Sequence, residues 1–233
     1  MRYVYNIFHL DSSTERQKYV DTLDTYLSPH FDKLHTPTIS ISNQEEVTAF
    51  LTENPEFKLD GNGSSDPSGV QGWMFGEIGI WASNYFAWKN FLKTDADYLI
   101  LIEDDLIATP RLLEVLDVYM SQLPEDWDMF TAFVSGDQYG RFNETHEIGA
   151  ESICKAYQDW SLAFYIINRK SAEKLLQSVY DGVIYPPDWH FYKQQDKFNV
   201  YAPKPLDAGF CYLAGLESTY QLRDTRHIIE GNI

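Results

Sequence analysis

The stretch that most restricts what this chain can fold into is Tyr98-Leu-Ile-Leu-Ile-Glu-Asp-Asp105, an aliphatic run that ends in three consecutive carboxylates. Its apolar residues, two of them β-branched isoleucines, read as a strand buried on both faces, the kind found inside a parallel sheet. Side chains alternate along a strand, so Glu103 and Asp105 are expected on one side and Asp104 on the other. Acids held together at a strand end repel one another unless a cation sits between them. A hard divalent ion with oxygen ligands, Mn²⁺ or Mg²⁺, is the natural partner. The plain alternative is a solvated acidic turn ahead of the next element.

The 233 residues suffice for one substantial α/β domain and its core. A formal net charge of -17 repels phosphate backbones, which makes nucleic acid an unfavourable partner, and no cluster of Lys and Arg offsets it. Sixteen Tyr and six Trp supply rings that stack on sugars or bases, or that pack an ordinary core. Cys154 and Cys211 lie far apart without metal-binding spacing and read as free thiols. The first ten residues are too short and too polar for a signal peptide, and no apolar run is long enough to span a membrane. The expectation is a soluble, cytoplasmic protein.

Strands are expected over Tyr3 to Leu10, Thr38 to Ile41, Met129 to Val134, Leu162 to Ile167 and Val200 to Ala202, with another near Phe210. Helices are expected from Thr14 to Leu27, capped by Asp11, Ser12 or Ser13, and over Glu45 to Leu51, Gly76 to Leu92, Pro110 to Gln122 and Arg169 to Val179. The third of these carries Ile80, Ser83, Asn84, Ala87, Trp88 and Phe91 on one face. A loop-helix unit follows Tyr185. Residues 54–72, with Asp60-Gly-Asn-Gly-Ser-Ser-Asp-Pro-Ser-Gly69, read as a flexible insertion in an otherwise single domain over 1–233. Alternating strands and helices make an α/β/α sandwich around a mostly parallel sheet.

Several segments, taken together, resemble glycosyltransferase family 25. Ile7-Phe-His-Leu-Asp-Ser-Ser-Thr-Glu-Arg16 is similar to the family's opening Ile-Asn-Leu-Asp-Arg-Ser-Thr-Glu-Arg. Gly76-Glu-Ile-Gly-Ile-Trp-Ala-Ser-Asn-Tyr-Phe-Ala-Trp88 resembles Gly-Glu-Ile-Gly-Cys-Ala-Leu-Ser-His-Leu-Arg-Ala-Trp, and Leu101-Ile-Glu-Asp-Asp105 resembles Leu-Glu-Asp-Asp. Ala163 to Leu176 is similar to the family's Ala-Tyr-Ile-Ile-Ser-Arg segment and the helix after it. The resemblance covers most of residues 3–176 in order. It implies a GT-A-like, Rossmann-related fold, a UDP-sugar donor (often UDP-galactose), a divalent metal, inversion at the anomeric carbon and a hydroxyl acceptor such as a glycan. The family includes lipopolysaccharide-type and collagen galactosyltransferases. Asn84 stands where His is usual, Phe86 where Arg is usual and Ser12 where Arg is usual, so donor and acceptor stay open.

On this reading Glu103 and Asp105 hold the metal, with His190 or His227 as a third ligand, and Asp104 serves the ribose or the donor sugar. His9, Leu10, Asp11 and Arg16 fall at the carboxyl edge of the sheet, where open α/β sheets bind nucleotides. The plain alternative for Arg16 is a surface ion pair. Glu77, flanked by Gly76 and Gly79, is a candidate donor-sugar contact or a helix-capping acid. Asp188, in Pro186-Pro-Asp-Trp-His190, is the first candidate for the base that takes the acceptor proton, with Trp189 stacking on a sugar, and Asp159 is the second. Either aspartate can instead cap a helix. Rival readings are a non-catalytic sugar- or nucleotide-binding module, a transferase acting on modified nucleic-acid bases, and a metal-dependent hydrolase.

Overall fold

Strand β3, Tyr98–Glu103, forms as expected and lies inside a seven-stranded sheet. The structure is a computed structural model that describes residues 1–60, 73–113, 115–132, 153–156, 162–183, 185–194, 196–204 and 211–214. The sheet also contains β1 (Tyr3–Phe8), β2 (Asp32–Lys33), β5 (Met129–Thr131), β6 (Ile153–Lys155), β7 (Phe164–Asn168) and β8 (Val200–Pro203), in the order β2-β1-β3-β7-β5-β8-β6. A separate antiparallel pair joins β4 (Leu106–Ala108) to β9 (Cys211–Leu213).

β1 lies parallel to both β2 and β3, with Tyr3 opposite Tyr98 and Phe8 opposite Glu103. β7 then runs antiparallel between β3 and β5, and β6 runs antiparallel to β8. Five of the seven strands therefore point one way, and β7 and β6 the other. The sheet is mixed: the expectation of a mostly parallel sheet describes strand directions, while half of its pairings are antiparallel.

Period-two alternation sorts the two faces into two cores. Val4, Leu99, Leu101, Tyr165 and Ile167 face one cluster, which includes residues of α2 (Gln44–Glu53), α3 (Phe75–Leu92), α4 (Arg169–Asp181) and α5 (Pro187–Lys193). Tyr5, Ile7, Ile100, Ile102, Phe164 and Ile166 face the other, beneath α1 (Gln17–Leu27), whose Val20, Leu23 and Leu27 are buried there. These layers are the expected α/β/α sandwich.

Four local expectations change. Helix α1 begins at Gln17, with Arg16 as its N-cap and no side-chain cap, because residues 11–16 form turns closed by bonds such as Ser13 N–H to Leu10 O at 2.7 Å. The segment Thr38 to Ile41 forms no ladder, since its polar groups are engaged elsewhere: Thr38 Oγ1 accepts from His9 N–H, and Ile39 N–H donates to Ser83 Oγ. Pro110 to Gln122 is not one α-helix. It runs as a 3₁₀ turn over Pro110–Leu113, a π-helical turn over Val115–Tyr119 and a second 3₁₀ turn over Met120–Gln122. Finally, α3 is buried around most of its circumference rather than along one stripe, with Ile78, Ala82, Ser83, Asn84, Ala87 and Trp88 all buried.

The supposed insertion also divides. Phe57 and Leu59 are buried, and Leu59 makes a parallel bridge to Val183, so these two side chains of the segment belong to the core. The remainder, 61–72, lies outside the described residues. The late strand begins at Cys211, and Phe210 lies outside the described residues too.

Candidate active site at the carboxyl edge of the sheet

The parallel pairing of β1 with β3 brings the residues after Phe8 beside those after Glu103. β3 ends at Glu103, and Asp104 and Asp105 form the two-residue turn into β4, so strand alternation stops before it can place them. The Asp105 carbonyl accepts a bond from Ala214 N–H at 2.8 Å, which fixes the turn from the far side.

Asp104 is buried and doubly engaged. Its Oδ1 accepts from Arg16 Nη1 at 2.7 Å, and its Oδ2 lies 2.8 Å from His9 Nδ1. The same Arg16 nitrogen stands 3.6 Å from Asp105 Oδ2. The guanidinium thus bridges Asp104 and Asp105, a pairing that strand alternation does not predict, while Glu103 and Asp105 line the same cleft. Arg16 is 6% exposed, so the surface ion pair is not what forms. Burial opposes its charge, and the bond from Asp104 with the fields of Asp104 and Asp105 more than offsets that, holding its pKa above the ordinary value.

Glu103 stands in a different electrostatic setting. Burial first, then the charges of Asp105, Asp188 and Asp104, push its carboxyl up to about 8, with Arg16 pulling the other way. Burial likewise raises Asp105 above the ordinary carboxylate range, against the pull of Arg16. Asp188, in the first turn of α5, adds its charge to the field at Glu103. A cleft opens among Leu10, Ser13, Arg16, Thr38, Ser83 and the three acids.

Do these residues fit a divalent cation? Asp105 Oδ1 is buried and has no hydrogen-bond partner among the described residues. An orphaned carboxylate oxygen beside neighbouring acids whose charges push Glu103 and Asp105 up is the setting a hard cation relieves. Asp105 and Glu103 therefore fit the role. The donor set is incomplete: among the described residues no three His, Cys, Asp or Glu side chains stand ready for a metal ion.

The other predicted residues divide in three ways. His9 and Leu10 are at the site, whereas Asp11 is exposed in the turn that follows. Glu77 accepts from Met74 N–H at 2.9 Å at the start of α3, the capping role. Gly79 beside it does allow a close approach, but by the chain itself: a Cβ there would lie 2.8 Å from Ile39 O. His190 is a core residue, not a metal ligand. It is 1% exposed, its Nε2 lies 3.1 Å from Ser178 Oγ, its ring packs edge-on against Trp81, and burial lowers its pKa to about 4. Asp159, His227 and the side chain of Trp189 lie outside the described residues.

Asn84, standing where the resembled family has His, is buried. Its Oδ1 accepts from the Tyr165 hydroxyl and its Nδ2 donates to Ile80 O at 2.9 Å. Tyr165 also accepts from Trp88 Nε1 at 3.2 Å, so both Asn84 and Trp88 serve the core beneath the cleft. Ser13, Thr38 and Ser83 were not read as site residues from sequence. Ser13 and Ser83 lie inside the two motif-like segments, which was the available signal; nothing local marks Thr38.

An acidic cleft at the carboxyl ends of parallel strands in an α/β sandwich defines a class of ligand-binding α/β proteins. Within it, the chain is similar in sequence to a protein named for glycosyltransferase family 25. That protein is a glycosyltransferase 25 family member from Aedes aegypti, 28% identical over 120 residues, which is 49% of this chain and 19% of that relative. The chain thus matches about a fifth of the length of that relative. No protein-family model matches it. Among solved structures it is similar to a Drosophila β-1,4-galactosyltransferase 7 in complex with manganese, UDP-Gal and xylobiose (10% identity, TM-score 0.44, covering 97% of this chain and 75% of that one). It is also similar to a glycosyltransferase involved in glycosylation of the major capsid of PBCV-1 (10% identity, TM-score 0.43, covering 86% and 81%). At these scores the likeness is one of general layout, and no chemistry is drawn from it.

Proposed function

We propose that this chain is a metal-dependent, inverting glycosyltransferase domain that moves a hexose, galactose being the first candidate, from a UDP-sugar to a hydroxyl acceptor such as a glycan. The observation that carries the reading is the gathering of Glu103, Asp104, Asp105 and Arg16 about one cleft at the carboxyl edge of the sheet, in a chain similar in sequence to a glycosyltransferase 25 family member. Asp105 and Glu103 would hold Mn²⁺ or Mg²⁺, which when bound neutralises charge developing on the departing diphosphate.

The residues of the chain then divide the work. His9 and Leu10, with Arg16, line the nucleotide side of the cleft. Asp104 holds His9 and Arg16, one on each oxygen. Asp188, half-buried at the first turn of α5, is the base: it takes the acceptor hydroxyl proton as that oxygen forms its bond to the anomeric carbon. The bond from that carbon to the diphosphate breaks on the opposite face, and UDP leaves. Asp159 is the second candidate for the base.

The test is a screen of UDP-sugars scored by UDP release, with and without Mn²⁺. Metal-dependent release with one donor, lost in Asp105→Asn, is the expected result. Binding of UDP-sugars with no release under any acceptor would instead mark a non-catalytic sugar-binding module.

A further inference from the structure

We propose that Arg16 is a built-in counter-cation that competes with a divalent ion for Asp105 and is displaced from that carboxylate when the ion binds. The inference rests on the reading of Asp105 as a metal-binding group, and not on the identity of donor or acceptor.

The geometry distinguishes two partners of one guanidinium. Arg16 Nη1 makes a hydrogen bond to Asp104 at 2.7 Å but stands 3.6 Å from Asp105, a Coulombic contact without a hydrogen bond. Asp104 has both oxygens in hydrogen bonds, one to Arg16 and one to His9. Asp105 is held loosely on one oxygen and not at all on the other, Oδ1, which is buried without a partner among the described residues. An arriving cation therefore meets an unengaged oxygen on Asp105, whereas both oxygens of Asp104 already hold partners.

Arg16 cannot yield by losing its proton, since a guanidinium stays charged throughout the working pH range. It yields by moving off Asp105, with its hydrogen bond to Asp104 kept. All three side chains are mostly buried, with 7%, 10% and 19% exposure for Arg16, Asp104 and Asp105, so solvent screens their charges weakly. A positive charge a few ångströms from a divalent ion in such a setting weakens binding by more than about tenfold. The opposite side of the balance is stability: without the ion, Arg16 is what compensates two buried aspartates.

The experiment titrates the full chain with Mn²⁺ alone, without nucleotide, by calorimetry. Arg16→Met is expected to tighten Mn²⁺ binding at least tenfold, while Arg16→Lys, which keeps the charge, stays within a few-fold of the parent. An unchanged or weaker affinity in Arg16→Met, or no Mn²⁺ binding by either protein, would overturn the proposal. Should Arg16→Met not fold, the parent decides: with Mg²⁺ at saturation the Arg16 side-chain Nε–H resonance is expected to shift, and a resonance that stays put counts against displacement. The two readings fail separately. Tightened Mn²⁺ binding without any UDP release in the parent sinks the transferase and leaves Arg16 its role; UDP release with unchanged Mn²⁺ affinity does the reverse.

Discussion

Glu103 titrates near pH 8 in the fold, whereas a glutamate in an unfolded chain titrates near about 4.3. Between those values the folded protein holds a proton that the unfolded chain has released, so the free energy of unfolding falls as pH rises across the window. The slope from this group is at most about 1.4 kcal/mol per pH unit. Glu103→Gln is neutral at every pH and is expected to flatten the decline, as read from urea midpoints at about pH 5 and about pH 9. Asp188 lends itself to a kinetic test. Asp188→Asn keeps the shape of the side chain but cannot accept the acceptor proton, so kcat is expected to drop by about 10²–10⁴ while UDP affinity is retained. A joint loss of UDP binding would move Asp188 from the chemistry to the donor site. The identity of the carboxylates was plain in the run Glu103-Asp104-Asp105. Which of them pairs with Arg16 was not, because the strand ends at Glu103 and a turn takes over.

Helix α3 shows what periodicity conveys about an element and what it leaves out. Its position and length follow from the pattern over Gly76 to Leu92, but apolar spacing alone gave one buried stripe, where the helix is enclosed on nearly every side. The enclosing backbone is the segment at Ile39 to Ile41, which crosses α3 at Gly79, and such contacts across forty residues leave no local trace. A Cβ at residue 79 would fall 2.8 Å from Ile39 O and 3.3 Å from Ile41 N, both backbone atoms that cannot rotate away. Gly79→Ala is therefore expected to destabilise the fold by about 1–3 kcal/mol despite the better helix propensity of alanine. Chemical denaturation checks this. A gain in stability would show that the crossing segment is free to move. Short strands were invisible for a related reason: Asp32–Lys33 has no strand propensity, and pairs only because β1 offers it an edge.

Across the whole molecule a formal charge of -17 acts on the folded state more than on the expanded one, since compaction brings like charges together. Raising ionic strength from about 0.01 M to about 0.1 M shortens the Debye length from about 30 Å to about 10 Å. Tm is expected to rise by about 2–4 °C, the response to about 1 kcal/mol for a chain of this size. The buried Arg16–Asp104 contact is screened far less, so salt alone is not expected to release it. A Tm that falls with salt would mean that surface ion pairs such as Lys89–Glu56 outweigh the general repulsion. Among the described residues no helix is long and apolar enough to cross a membrane.

The amino-acid order was enough to establish an α/β layering, the central strand, the principal helices and the acidic edge, because each is written in a local period or a local run of one chemistry. Tertiary structure alone decided that β7 runs against its neighbours, that Glu77 caps its helix and that His190 fills the core. It also decided that Arg16 is shared between Asp104 and Asp105. Those outcomes depend on which distant segments meet, and a side chain's role at such a meeting is set by the burial and charge it encounters there.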